Sequence, residues 1–443
     1  MSSPQFVHFH ARTGRPRTWS VIGVALAFLA AAPAAPAQSQ PLTLGQAQQQ
    51  AVARSRQLSA RDQAATASHE MAVAAGQLPD PVLKVGIDNL PVSGSDRLSL
   101  GNDFMTMRRV GVSQELTRAD KLRWRSARFE READKAQAEK DVAIAAIQRD
   151  TALAWLEVFY TGQMAEVVAR QAATSRQEIE AAEAAYRGGR GGQADILAAR
   201  AALLTLDDRG SEISRRLRVA QTRLARWTGG ESTVAGAPDV DRIRLDPASL
   251  DRDLAHHPQI AVLNRQEEIA QADANLAQAN QRTDWSVEVA FQQRGSAYSN
   301  MVSVGISVPL QWDRKNRQDR ELAAKLALVE QAKAERDEML REHVAETRAL
   351  IVEWQSGKER VSRYQREVLP LAGERSQATL AAYRGGKATL VEVLAARRNE
   401  AEMRMQALQL ELDTARLWAQ LNFLFPDGEA VQHAPMNHPQ ESQ

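Results

Sequence analysis

The residues with most scope for chemistry are two acids at matched positions. Asp195 and Glu392 each stand six residues after the second glycine of an Ala-Tyr-Arg-Gly-Gly run, at 185–189 and 382–386. A carboxylate near a helix N-terminus gains about 0.3–1 kcal/mol from the helix dipole, so capping is the plain use of both. Catalysis has no comparable foothold, because no nucleophile, base and orienting group recur together. The runs do not make a phosphate loop, which needs a preceding strand and a following Lys-Ser/Thr. Arg187-Gly188-Gly189-Arg190-Gly191-Gly192 is a single RGG-like pair, too little for RNA. His256-His257, Met105/Met107, Met403/Met405 and His433, Met436, His438 are the metal candidates, and none forms a ligand set. Methionines at i, i+2 point to different helix faces. The sequence thus predicts no enzyme, no cofactor, no metal site and no nucleic-acid partner.

The glycine runs are matched because the chain is duplicated. Residues 185–200 and 382–397 align without a gap at an offset of 197, with nine identities in sixteen positions. Each run lies between two long Ala-rich helical patterns, and paired glycines suit a left-handed helix end followed by a restart. Each is read as the tip of a helical hairpin. Tight turns at Tyr186-Gly189 and Tyr383-Gly386 let another helical hairpin approach closely, so docking is the expected use of the tips.

Composition narrows the class. The chain has 443 residues and no cysteine, which excludes disulfides, thiolate metal sites and a lipidated N-terminal cysteine. Arg12, Arg15 and Arg17 precede an apolar run from Val21 to Ala32, followed by Ala35-Pro36-Ala37. That order reads as a signal peptide over residues 1–37, the run being shorter than the roughly 20 residues of a spanning helix. Without it, 53 Lys+Arg face 55 Asp+Glu, and so balanced a charge gives nucleic-acid binding no support.

The remaining chain reads as two repeats, 38–228 and 250–425, joined by a Gly/Pro/Asp-rich junction at 229–249 and followed by a polar tail at 426–443. Each repeat begins with a helix, Leu42 to Leu78 or Leu250 to Gln281. Each continues with two alternating segments. In the first repeat Leu83, Val85, Ile87, Val110 and Val112 alternate with Lys84, Asp88 and Arg109. In the second, Val287, Val289, Phe291 and Val302 to Val308 alternate with Glu288 and Gln292. Period two means strands. A helical pattern then runs from Asp120 to Tyr186, roughly 100 Å if continuous. Its counterpart runs from Arg314 to the second tip, with breaks expected near Gly357, Pro370 and Gly373. Returning helices are expected over Gln193–Trp227 and Thr389–Phe425. The run Arg118 to Arg131 reads as a solvated helix face.

Four strands with one apolar and one polar face suit either a soluble half-buried sheet or a membrane barrel. Four cannot close a barrel alone, and open edges in lipid cost several kcal/mol per unpaired backbone group. A membrane reading therefore requires several chains to share one barrel, with Trp285 and Trp312 at strand ends in an interfacial belt. Lys84, Asp88, Arg109, Glu288 and Gln292 would then line a wet lumen.

In the order of these elements the chain resembles the TolC-type outer-membrane efflux channels. The likeness rests on the duplicated strand-strand-hairpin order, the two tips, and Val110-Gly111-Val112-Ser113-Gln114-Glu115-Leu116. It rests also on Val304-Gly305-Ile306-Ser307-Val308-Pro309-Leu310 with Trp312-Asp313-Arg314-Lys315-Asn316, similar to the cation-efflux (CzcC-like) branch. The resemblance implies a mainly α fold with a small membrane β part. Three chains would share a twelve-stranded barrel in the outer-membrane lipid, continued by a long α-helical barrel across the periplasm. Partners would be a periplasmic adaptor and an inner-membrane pump, and the cargo heavy-metal cations. It implies a constriction lined by Glu392 and a tether between Tyr383 and Asp195. Two departures are visible: Ala395 replaces a second constriction acid, and Ala388 a basic gate residue, with Lys387 beside it.

Overall fold

The computed structural model describes residues 41–189, 191–236 and 238–426. The expected signal peptide and all of the tail after Pro426 lie outside them. The first repeat holds α1 (Leu44–Arg54), α2 (Arg56–Ala75), β1 (Val82–Asp88), β2 (Met107–Leu116), α3 (Ala119–Arg187) and α4 (Gln193–Thr228). The second holds α5 (Leu250–Leu254), α6 (Pro258–Ala279), β3 (Trp285–Gln293), β4 (Met301–Ser307), α7 (Gln318–Arg363), α8 (Leu369–Arg384) and α9 (Leu390–Asn422).

Several expected helix limits are corrected. The first helix is two, because Ser55 leaves the helical region and its side chain caps α2 by accepting from the Leu58 N–H. The helix expected over Leu250–Gln281 is broken by His257, whose ring accepts from the Gln259 N–H, with Pro258 at the first helical position. Gly357 and Gly373 do not interrupt their helices. The break is instead a π-helical turn at Tyr364–Val368, ahead of Pro370. A proline lacks the N–H for the i−4 bond, and the wider turn absorbs the mismatch. The second long helix starts at Gln318 because Asp313 to Arg317 forms hydrogen-bonded turns.

All four strands form one antiparallel sheet in the order β1-β2-β3-β4. The rows Leu83-Val112-Val289-Val304 and Val85-Val110-Phe291-Val302 cross it on one face. That face is bare: Leu83, Val85, Val302 and Val304 are 66 to 72% exposed. No helix packs over the sheet among the described residues, which removes the support for a soluble half-buried sheet. Among the described residues no helix is long and apolar enough to cross a membrane.

The main core lies elsewhere, where the helices of both repeats meet. Trp155, Leu156, Leu224, Leu412, Ala415 and Leu421 are buried together. The junction between repeats packs into this core. Trp155, Trp354 and Trp418 each donate an indole N–H to a backbone carbonyl of an irregular segment, at Leu42 (2.9 Å), Val240 (3.2 Å) and Arg242 (2.8 Å). Buried indoles need acceptors, and irregular backbone needs donors, so each satisfies the other.

His257 sits at the edge of this core, its ring 4.7 Å from His343 and 5.5 Å from Phe425. Burial first, then the His343 charge, lowers its pKa to about 4, against a hydrogen bond to the Leu424 backbone. The unfolded chain protonates His257 below about pH 6.5 and the native chain only near 4. Stability is therefore fully present above pH 6.5 and falls as pH drops towards 4, by roughly 1–3 kcal/mol for this group. Thermal melts across that window should lose part of their slope in His257→Gln.

Candidate functional site

On the other face of the sheet the residues are charged, and they meet. Lys84 Nζ lies 2.6 Å from Glu288 Oε2, Arg109 also pairs with Glu288, and Arg109 reaches Asp88 at 3.8 Å. Gln292 Nε2 donates to Ser303 Oγ at 3.2 Å. All five residues expected on the polar face are there, four of them in one network drawn from three strands. Small residues between them allow it. Gly111 and Ala290 oppose each other on this face, and a Cβ on Gly111 would come within 2.7 Å of the Ala290 Cβ. The network carries two positive and two negative charges on half-exposed side chains, so it favours water without a strong bias for either sign.

At the far end of the long hairpins, the tips follow from their glycines. Gly189 and Gly386, the second of each pair, adopt φ of +70° and +72°, a region that favours glycine. Gly188 and Gly385 close the last helical turns onto Ala184 O and Ala381 O. Asp195 Oδ2 accepts from the Gly192 N–H at 2.9 Å. Glu392 Oε2 accepts from the Thr389 N–H at 2.7 Å and the Thr389 hydroxyl at 3.0 Å. Thr389 Oγ1 in turn accepts from the Glu392 N–H, completing a capping box. The Thr389 backbone bond, then its hydroxyl, hold the exposed Glu392 carboxyl below the ordinary range. Both acids are thus helix caps, and one oxygen of each stays outside the cap.

Glu392 also lines an open groove of about 630 Å³ between α8 and α9, with Arg375, Thr379, Arg398 and Glu402. Tyr186 is exposed and Tyr383 half-buried. Among the described residues, Tyr383 and Asp195 of one chain make no hydrogen bond to each other. The structure therefore does not bring the expected tether together within the chain.

One ion pair escaped the sequence reading. The matched arginines of the duplicated motif have different partners. Arg200 pairs across its own hairpin with Glu183 at 2.8 Å, whereas Arg397 pairs with Glu178 on α3, at 2.9 Å. Arg397 on α9 thus fastens the second hairpin to the first. Glu178 is buried, and desolvation raises its pKa against the Arg397 charge. Sequence offered no signal for a pair 219 residues apart. The Arg-rich start of α3 is exposed at Arg118, Arg123 and Arg131, as expected of a solvated face, but two of its arginines are also paired. Arg128 binds Asp273 at 3.1 Å and Arg131 lies 3.5 Å from Glu268, both on α6. Among the described residues no cluster of three His, Asp or Glu could hold a metal ion.

No family model matches the chain, and no curated protein does. Solved structures do. The outer-membrane channel OprN superposes with a TM-score of 0.70 at 18% identity, over 86% of this chain and 90% of that one. The outer membrane protein VceC from Vibrio cholerae gives 0.68 at 17% identity, over 86% and 95%. CusC, described through its folding and transmembrane channel formation, gives 0.72 at 17%, over 86% and 92%. The chain has the outer-membrane channel fold. Identities this low establish the fold alone, and they place the bare sheet and the long hairpins within one known architecture.

Breaking one side of a buried pair strands the other charge, at about 3–5 kcal/mol, while removing both costs less. With Arg397 partly exposed beside the buried Glu178, Arg397→Ala and Glu178→Ala should each destabilise by roughly 1–3 kcal/mol. The double variant should lose less than the sum, in a double-mutant cycle read by thermal denaturation.

Proposed function

We propose that this chain is the outer-membrane exit duct of a tripartite efflux system. The observation that supports it is the sheet: bare and apolar on one face, charged on the other, and open at both edges. Burying ten such aliphatic and aromatic side chains is worth on the order of 10 kcal/mol, comparable to the whole stability of a domain. Lipid covers the face, and strands of sister chains cover the edges. β1 and β4 run in opposite directions, so β4 of one copy can pair antiparallel with β1 of the next. Three copies give the twelve-stranded barrel of the resemblance, with the charged network in its bore and the hairpins as a periplasmic tunnel.

In this reading the tips at Tyr186-Gly189 and Tyr383-Gly386 meet a periplasmic adaptor, and the inner-membrane pump supplies the energy. The cargo is a heavy-metal cation. A ring of three Glu392 carboxylates, kept ionised by their caps, favours cations at the mouth. Asp195 and Tyr383 tether neighbouring hairpins in the shut state.

Fractionation and planar-bilayer recording test the reading. The protein should sediment with outer membrane, need detergent for release, and conduct ions. A protein that washes off without detergent and never conducts would be a periplasmic scaffold instead. Deletion of the gene should sensitise cells to metal salts before drugs. Tyr383→Phe with Asp195→Ala should raise single-channel conductance, and unchanged conductance would count against the tether.

A further inference from the structure

The duplication specifies the seam between copies. β3 matches β1 at an offset of 204, with Asp284 over Asp80, Val287 over Leu83, Glu288 over Lys84 and Phe291 over Ile87. The preceding helices α6 and α2 end at Ala279 and Ala75, the same offset. β2 matches β4 at an offset of 194, with Val110-Gly111-Val112-Ser113 over Val304-Gly305-Ile306-Ser307, and the match reaches Lys121 over Lys315.

Within the chain, the repeats meet where β2 pairs with β3, Val112 opposite Val289 and Leu116 opposite Trp285. A clasp lies just below. Lys121 Nζ lies 2.6 Å from Asp284 Oδ2, and Asp284 Oδ1 accepts from the Arg118 N–H at 3.0 Å. Lys121 is buried there. Desolvation pushes the Asp284 carboxyl up, but the hydrogen bonds from Lys121 and the Arg118 N–H, then the Lys121 and Arg125 charges, together hold it below the ordinary range. In support of this seam, α3 packs on both α2 and α6.

The two outer edges, one from each repeat, carry the same parts without their partners. Asp80 and Lys315 are both exposed, and neither makes an ion pair among the described residues. α7 packs on α6 but not on α2. Met71 and Val73 on α2, and Leu326 and Leu328 on α7, stand about half exposed.

We infer that a second copy of this chain supplies those partners in one fixed register: Ile306 of β4 faces Val85 of the next copy's β1, and Lys315 closes on its Asp80. This rests on the shared-barrel reading and specifies its seam. The register follows from carrying the Val112–Val289 pair through the two offsets. The faces agree along the whole seam. Val308 then faces Leu83 and Val304 faces Ile87, apolar on apolar, while Ser307 faces Lys84 and Ser303 faces Asp88. A slip of one residue would set every apolar side chain against the polar face. The clasp repeats with the same polarity, lysine after β4 and aspartate before β1.

The native chain has no cysteine, so paired cysteines report contacts cleanly. In the full-length protein in outer-membrane vesicles, Val85→Cys with Ile306→Cys should give disulfide-linked dimers and trimers on oxidation. Val85→Cys with Val304→Cys, displaced by two residues and roughly 7–8 Å along the diagonal, should give several-fold less. Preferential linking of the displaced pair, or no linking of either in protein that sediments as a trimer, overturns the register. A monomer in mild detergent with no linking overturns the shared barrel itself. Separately, Asp80→Lys should lower the temperature at which trimers dissociate in SDS, and Asp80→Lys with Lys315→Asp should restore it. Absence of that rescue removes the clasp.

Discussion

A β-sheet edge is a row of backbone donors and acceptors that must be paired or hydrated, and this molecule leaves two such edges beside a face that repels water. Hydration would satisfy the edges only by leaving Val85, Phe291, Val302 and their neighbours in water. Lipid would satisfy the side chains but leave the edges bare, at several kcal/mol per group. Edge pairing within a lipid-covered barrel, as proposed above, meets both demands. The charged network of Lys84, Asp88, Arg109 and Glu288 completes the constraint, because those groups must face water. In the proposed barrel, the charged side of this thin sheet would face water and the apolar side hydrocarbon.

The helical part answers a different demand. Long Ala-rich helices have little apolar surface per turn, and α3 alone runs for 69 residues. Its deepest packing is concentrated in one zone, where α3, α4, α7 and α9, the junction at 229–249 and the segment around Leu42 share a core. Three tryptophans anchor the irregular segments by their indole N–H groups. Beyond that zone the hairpins are held by thinner means: caps at Gly192 and Thr389, left-handed glycines at the tips, and the Arg397–Glu178 pair between hairpins.

Much of this was legible before the coordinates. Alternation found all four strands, because one face must be apolar and the other polar, and the duplicated tips found both hairpin ends. β2 is longer than its alternation, since pairing with β3 carries the strand through Gln114 and Glu115 whatever their polarity. Ser55 was lost among Ala and Gln, whose helix propensity hides a cap that is visible only as a hydrogen bond. Pro258 and Pro370 were visible as residues, but whether each breaks, starts or bulges a helix depended on neighbours that periodicity does not encode. Position alone put Asp195 and Glu392 near helix N-termini, and their hydrogen bonds made them caps. The partner of Arg397 was not legible, because two copies of one motif diverged in what they touch.

Backbone amide hydrogen exchange in lipid tests most directly whether the sheet is closed. In a closed barrel, the outward amides of β1 and β4 should exchange as slowly as those of β2 and β3, which are paired on both sides within the chain. Rapid exchange confined to the outward amides of β1 and β4, with β2 and β3 protected, would show an open sheet and contradict the duct.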